Sequence, residues 1–178
     1  GGQHLLDVQL LSPVVLENKV VAFVANIAHQ LDMGGAVPGG VAGGLTEIYQ
    51  EGLRIPFVKL YQKGKEDDQI FDLISNNIRI PEKTMEDIKA QAATTMIGVE
   101  RVKTLIRKYG LDVFQECTSM LSDYTEKKVR YFIESVPDGD YTGIDYLDDD
   151  GIVDMPVKVQ VNIHIKGDGM KVDFDGSS

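Results

Sequence analysis

"VQLLSPVVLENKVVAFVANI", residues 8–27, decides the fold of the first part of the chain. Two valine-rich apolar segments lie on either side of the polar triplet "ENK" at residues 17–19. Such segments around a short polar turn are typical of a β-hairpin. Because the strands of a hairpin run antiparallel, its two open ends meet in space although they are distant in sequence. We therefore expect residue 4 to lie close to residue 29, or within a few residues of it.

Histidine and aspartate occur together at both of these open ends. His4 precedes Asp7 by three residues, and His29 precedes Asp32 in the same way. Imidazole and carboxylate donors suit manganese, iron or zinc, and two histidines with one carboxylate leave coordination positions open for water or substrate. A structural role also fits, because aspartate often caps a turn and histidine often hydrogen-bonds to the backbone. Asp32 either orients His29 by a hydrogen bond or is a turn residue ahead of the glycines that follow.

Charge and cysteine content restrict the class of protein. The 178 residues carry 18 basic and 28 acidic side chains, a formal net charge of -10, which argues against a nucleic-acid partner. The apolar segments are shorter than the roughly 20 residues that cross a bilayer. We expect a cytoplasmic protein with no membrane partner. Cys117, the single cysteine, excludes an internal disulfide and is predicted to be a buried structural thiol on a helix.

Glycine dominates residues 34–44, "GGAVPGGVAGG", which are predicted to form a loop. The segment lacks the Gly-Lys-Ser/Thr ending of a phosphate-binding loop and the strand-glycine-helix order of a dinucleotide site. It is either a flexible connector or a mobile lid beside the His29 segment.

Charged residues interrupt the apolar segment that follows, residues 45–61. Glu47, Glu51 and Arg54 lie between apolar side chains there. They form either a catalytic acid/base pair with an anion clamp that faces a substrate, or a buried structural Glu-Arg pair.

Helical periodicity dominates the middle of the chain. A short helix is predicted over 67–76, and two long helices over 83–109 and 111–136 are separated by Gly110. The C-terminal residues alternate between apolar and polar around a Gly-Asp-Gly turn at 167–169, which predicts two strands of a hairpin, with His164 facing outward. The predicted class is mixed α+β, with β-hairpins flanking a long antiparallel helical hairpin. The chain divides into a β-rich segment with the candidate metal site (1–66), the helical hairpin (67–136) and a C-terminal β-hairpin (137–178).

Six motifs together resemble the hydantoinase B and oxoprolinase family, which includes N-methylhydantoinase B subunits and related subunits of acetone and acetophenone carboxylases. In chain order they are "GGQHLLDV" (1–8), "VAFVANIAHQLDMGG" (21–35), "TEIYQEGLRIP" (46–56), "EDIKAQ" (86–91), "VPDGDYTGIDYLDDDG" (136–151) and "VDFDGSS" (172–178). Members of this family are much longer than 178 residues, so the resemblance implies an internal fragment, which we expect to be inactive in isolation.

The resemblance implies an ATP-dependent enzyme system built as a hetero-oligomer. A hydantoinase A-type partner subunit, holding ATP and magnesium, would activate a carbonyl by phosphorylation. The favoured activity is hydrolysis of a cyclic amide, a hydantoin or 5-oxoproline. The alternatives are the metal-bearing subunit of an acetone- or acetophenone-type carboxylase, which acts on a ketone, and a non-catalytic structural or assembly module.

The resemblance also implies a divalent metal, manganese by expectation, held by His4, Asp7 and His29. A further carboxylate ligand is expected upstream of residue 1. Many relatives have a second histidine where this chain has Gln30, so a role that needs two adjacent imidazoles is not expected here.

Overall fold

The computed structural model describes residues 4–178, which form two compact units. The first unit ends at Leu105 and the second comprises Ile106–Ser178. Each unit contains antiparallel strands and helical residues, so the predicted mixed α+β class is confirmed. No helix within residues 4–178 combines the length and the apolar character that a bilayer-spanning segment requires.

A long β-hairpin opens the first unit. Its strands are β1 (Asp7–Leu16) and β2 (Lys19–His29), paired from Leu16 and Lys19 at the closed end to Asp7 and His29 at the open end. Glu17 and Asn18 form the turn with positive φ angles of 47° and 62°. A turn with two positive φ angles has a twist that matches the twist of the two strands, and the register that it sets shifts by one residue between Val14 and Val15. The predicted hairpin is therefore confirmed.

The core of the first unit lies beyond the open end of the hairpin. Two short strands, β3 (Tyr61–Gln62) and β4 (Lys65–Glu66), precede helix α1 (Asp68–Ser75), and helix α2 (Pro81–Tyr109) follows. Proline suits the first turn of a helix because its missing N–H has no helical partner there. The buried apolar cluster comprises Leu6, Met33, Phe71, Ile74, Ile78, Met85 and Ile88.

Helix α2 packs against one face of the hairpin through small side chains. At Gly98 an added Cβ would lie only 2.6 Å from Cγ1 of Val24 in β2, so glycine is what permits this close approach. Ser12 Oγ of β1 lies 2.7 Å from Thr95 Oγ1 of α2. The opposite face of the hairpin is solvent-exposed and includes Leu11 and Phe23.

The second unit combines a helix with a three-stranded antiparallel sheet. Helix α3 (Leu111–Glu134) begins after Gly110, whose φ is 90°. The strands are β5 (Gly139–Leu147), β6 (Val157–Lys166) and β7 (Gly169–Asp173), in the order β5-β6-β7. The predicted hairpin corresponds to β6 and β7, and the structure adds β5 as a third strand.

One expectation about α3 differs from the structure. Cys117 is exposed, so the prediction of a buried thiol is wrong. Helix α3 has no buried residue at all among those that the structure describes, although its apolar residues recur at helical spacing. Helical spacing places apolar side chains on one face, but it does not say whether another element covers that face. Antiparallel packing of α2 on α3 stays a prediction.

Candidate functional site

The structure brings His4, Asp7 and His29 together at the open end of the hairpin. Strand register places Asp7 opposite His29, and His29 Nδ1 lies 2.8 Å from Asp7 Oδ1. His4 precedes β1 in a turn in which the Asp7 amide donates to the His4 carbonyl over 3.1 Å. The imidazole rings of His4 and His29 meet edge to face, with 5.9 Å between their centroids. One imidazole therefore pairs with the carboxylate, and the second contacts the first.

The imidazole and carboxylate groups of His4, Asp7 and His29 are of the types that bind divalent metals, but the three side chains are not arranged around a common point. His29 Nδ1 and Asp7 Oδ1 lie 2.8 Å apart, which is a direct hydrogen bond, so an ion held by these two atoms would take the place of that contact. His29 is 54% exposed and Asp7 17% exposed, so an ion can reach the pair from solvent. Within the described part of the chain, no group of three His, Cys, Asp or Glu side chains is arranged to hold a metal.

An apolar cavity of about 870 Å³ borders this cluster in the first unit, with His4 and Asp7 on its wall. Such a volume is in the range of small-molecule sites, which combine apolar walls with a few polar groups. The wall also includes Leu5, Val8, Leu53, Ile55, Ile74 and Ile88.

Asp32 is buried and binds the glycine loop, not His29. Its Oδ1 accepts hydrogen bonds from the amides of Gly34 (2.9 Å) and Arg79 (3.1 Å). Its Oδ2 accepts from the amide of Gly39 (3.2 Å) and from Nη1 of Arg79 (2.9 Å). Burial raises the pKa of the Asp32 carboxyl, but the four hydrogen bonds outweigh burial and the pKa lies below its ordinary value. These contacts match the interpretation of Asp32 as a turn residue.

The same ion pair holds the first half of the glycine-rich segment. Arg79 Nη2 donates to the carbonyl of Gly35 (2.6 Å) and Nη1 donates to that of Val37 (3.3 Å). Gly35 has a φ of 87°, and an added Cβ would lie 2.5 Å from the carbonyl oxygen of Gln50. Residues 34–39 are thus held in place by specific hydrogen bonds, as in an ordered connecting loop. The sequence did not reveal Arg79 as the partner of Asp32 and of this loop.

Glu47, Glu51 and Arg54 do not form a buried pair. Glu47 and Arg54 are exposed and Glu51 is half-buried. The guanidinium carbon of Arg54 lies 5.2 Å from the centre of the Tyr49 ring. No ion pair joins these three side chains in residues 4–178. The role of Glu47, Glu51 and Arg54 as a substrate clamp stays a prediction.

A second histidine-aspartate pair lies on the sheet of the second unit. His164 Nδ1 of β6 is 2.6 Å from Asp140 Oδ1 of β5, and both side chains are exposed. This agrees with the predicted outward position of His164. Because its ring has the same kind of carboxylate partner and nearly the same exposure as His29, it provides an internal control.

Comparison with known proteins shows the family. The model of the Hydantoinase B/oxoprolinase family matches residues 1–178, and the chain belongs to this family. It is 34% identical over 184 residues to a protein of Pseudomonas sp. that is named as the B-type subunit of a D-/L-hydantoinase. That match covers 100% of this chain and 31% of the Pseudomonas protein.

Two solved structures share the fold. The ATP-dependent caprolactamase from Pseudomonas jessenii has a TM-score of 0.88 and 31% identity, over 98% of this chain and 30% of its own. An acetone carboxylase structure has a TM-score of 0.90 over 100% of this chain and 25% of its own, but only 18% identity. The present chain thus spans about a third or less of the length of the relatives it matches.

Proposed function

We propose that this chain is part of an ATP-dependent amidohydrolase subunit that opens a hydantoin or 5-oxoproline ring. In this proposal a hydantoinase A-type partner binds ATP and magnesium and activates the ring carbonyl by phosphorylation. Identity supports the amidohydrolase branch through the hydantoinase subunit at 34% and the caprolactamase at 31%. It does not separate 5-oxoprolinase from acetophenone carboxylase, because a 5-oxoprolinase and an acetophenone carboxylase delta subunit are each 28% identical to this chain. The acetone carboxylase, at 18% identity, supports the fold alone.

The observation that carries the proposal is the convergence of His4, Asp7 and His29 beside the apolar cavity. Asp7 and His29 would hold a manganese, iron or zinc ion with the donor pair that now lies 2.8 Å apart. The exposed His4 side chain would turn toward this pair to complete the set. Such an ion supplies a Lewis acid for a carbonyl oxygen or lowers the pKa of water.

The cavity wall suits the uncharged part of a cyclic amide. Apolar side chains would bury the ring carbons, and the ring carbonyl would lie toward His4 and Asp7 at the edge of the cavity. Leu53 and Ile55 line the cavity, whereas Arg54 between them does not and lies over the Tyr49 ring. We assign Arg54 to an anionic group of the substrate or intermediate, and Glu47 and Glu51 to proton transfer.

The test uses the full-length protein assembled with its ATP-using partner. ADP release is measured with hydantoin, N-methylhydantoin or 5-oxoproline, and in parallel with acetone or acetophenone plus bicarbonate. Turnover of a cyclic amide supports the proposal. Turnover of a ketone alone would replace it by the carboxylase alternative, and turnover of neither set would favour a structural module.

Metal content distinguishes a metal site at His4, Asp7 and His29 from the alternative of a non-catalytic structural module. His29→Ala and His4→Ala in the full complex are expected to lose most of the bound metal and of the substrate-dependent ADP release. His164→Ala removes an equally exposed, aspartate-paired histidine and is expected to keep both. Full metal content in His29→Ala and His4→Ala would contradict the assigned ligands.

A further inference from the structure

Gln91 is the polar side chain of the motif "EDIKAQ" on α2, and it is buried among apolar neighbours. It is 7% exposed and lies one helical turn from Ile88 and next to Ala92, both of which are buried. A polar group at such a position is costly unless its hydrogen bonds are satisfied. The cluster of His4, Asp7 and His29 does not include Gln91, so its retention in the core needs another explanation.

Both strands of the hairpin receive hydrogen bonds from this one side chain. Gln91 Nε2 donates to the carbonyl of Val8 in β1 (2.8 Å) and to Oδ1 of Asn26 in β2 (3.0 Å). Its Oε1 accepts from Nε2 of Gln30, which is itself buried, over 3.0 Å. Its backbone carbonyl accepts from Nδ2 of Asn26 (2.9 Å). Two donors and an acceptor of one amide are thus all used.

The three residues that Gln91 binds surround the candidate ligands. Val8 follows Asp7, Gln30 follows His29, and Asn26 lies three residues before His29. The backbone N–H of Gln30 also donates to the backbone carbonyl of Leu6, the residue before Asp7, over 2.8 Å. Any shift of the open end of the hairpin along α2 would break several of these bonds at once.

We propose that Gln91 is a positioning residue for the site: it holds the open end of the hairpin on α2 so that the Asp7 carboxylate and the His29 imidazole keep their mutual distance. This inference rests on the site assigned above but not on the identity of the bound group. Gln30, in turn, faces Gln91 in the interior and links the ligand segment to the helix.

The chemistry of the amide makes the inference testable by substitution. Gln91→Met keeps the length of the side chain but removes all three of its side-chain hydrogen bonds, while the backbone carbonyl can still accept from Asn26. Gln91→Glu keeps an acceptor for Gln30 and loses the donors to Val8 and Asn26. Gln30→Met removes only the bond between Gln30 and Gln91. The control is Gln115→Met on α3, because Gln115 is exposed.

The first readout needs no metal. Full-length protein is treated with diethylpyrocarbonate, and the modification rates of His29 and His164 are measured in the same sample by mass spectrometry. Loss of one hydrogen bond changes a local equilibrium by roughly 3- to 10-fold. We expect His29 to react about threefold faster or more in Gln91→Met, with His164 unchanged, and a smaller increase in Gln30→Met.

The second readout is Mn²⁺ affinity, measured by electron paramagnetic resonance on the full-length complex. Removal of groups that orient metal ligands lowers affinity by roughly 10- to 100-fold, and we expect about tenfold for Gln91→Met, acting through the backbone. Gln115→Met is expected to match the wild type. Thermal melting reports which variants are folded.

Unchanged His29 reactivity and unchanged Mn²⁺ affinity in folded Gln91→Met would overturn the inference. If Gln91→Met does not fold, Gln91→Glu and Gln30→Met decide by the same two measurements. If the wild-type complex does not bind Mn²⁺, the metal assignment fails, and the His29 modification rate still decides the role of Gln91.

Discussion

Replacement of Asp32 by asparagine or alanine tests the buried carboxylate that organises the glycine-rich loop. Asp32 is 1% exposed. Its Oδ1 accepts hydrogen bonds from the amides of Gly34 and Arg79, and its Oδ2 accepts from the amide of Gly39 and from the Arg79 guanidinium. Asparagine can keep the Oδ1 contacts but turns an NH₂ donor toward the two donors at Oδ2. Alanine removes all four acceptor contacts.

The size of the effect follows from these contacts. A hydrogen bond to a charged acceptor contributes about 1.5–3 kcal/mol when buried. The guanidinium of Arg79 is 38% exposed, so its ion pair is discounted for solvent screening. Counting the two best buried amide bonds at the lower value gives a loss of about 3 kcal/mol for Asp32→Ala. Asp32→Asn is expected to lose about half of that.

Urea unfolding of the full-length protein measures these losses, with Asp72→Asn as the control. Asp72 is exposed on α1, and its replacement is expected to change the free energy of unfolding by less than about 0.5 kcal/mol. Equal urea midpoints for wild type and Asp32→Ala would refute the reasoning, since the loop would then not depend on the carboxylate.

The pH dependence gives an independent check with a definite sign. The folded-state pKa of Asp32 lies below its ordinary value of 3.8, so the unfolded chain binds this proton more readily. The stabilisation is complete above pH 3.8 and is lost as the pH falls through the lower folded-state pKa. The difference between wild type and Asp32→Asn is therefore expected to shrink below that pH. A constant difference at all pH values would contradict the assignment.

Two further substitution pairs test the packing of the first unit by urea unfolding. Gly35→Ala is expected to lower the free energy of unfolding more than Gly64→Ala, because the added Cβ would lie 2.5 Å from the Gln50 carbonyl oxygen at position 35 and in open space at position 64, with a similar φ at both. Equal losses would contradict the proposed steric conflict. Ile88→Ala is expected to lower the free energy of unfolding by about 2–5 kcal/mol, because Ile88 is 1% exposed. Ile97→Ala is expected to lower it by less than about 1 kcal/mol, because Ile97 is 57% exposed. Similar losses would contradict the burial of the Ile88 face of α2.

Local geometry explains why the meeting of His4, Asp7 and His29 could be predicted from the sequence. The two-residue turn brings the open ends together to within a residue, since its register would pair Asp7 with Ala28. An irregularity between Val14 and Val15, which the sequence did not reveal, shifts the register by one residue and places Asp7 opposite His29. Partners from distant parts of the chain could not be predicted in this way. Arg79 lies 47 positions from Asp32, and neither residue carries a local pattern that points to the other.

Burial was harder to predict than periodicity. The apolar residues of α3 have helical spacing, yet none of that helix is buried within the described residues. Strand β5 was missed as a separate third strand because its acidic and glycine residues, in "GDYTGIDYL", weaken the alternation that marks a strand. The role of Gln91 could have been predicted, since it lies between Ile88 and Ala92 on the buried face of α2. A buried glutamine needs buried hydrogen-bond partners.

The two ends of the hairpin differ in how the rest of the first unit holds them, and this difference explains the place of the candidate site. At the closed end, Glu17, Asn18 and Lys19 are exposed, and the turn geometry alone sets their positions. At the open end, Gln91 binds both strands, and Leu6, whose carbonyl accepts from the Gln30 amide, belongs to the buried cluster. Side chains that must keep a fixed distance to act together need supports that packing holds in place. Such supports hold the open end, and it is there that the paired imidazole and carboxylate lie.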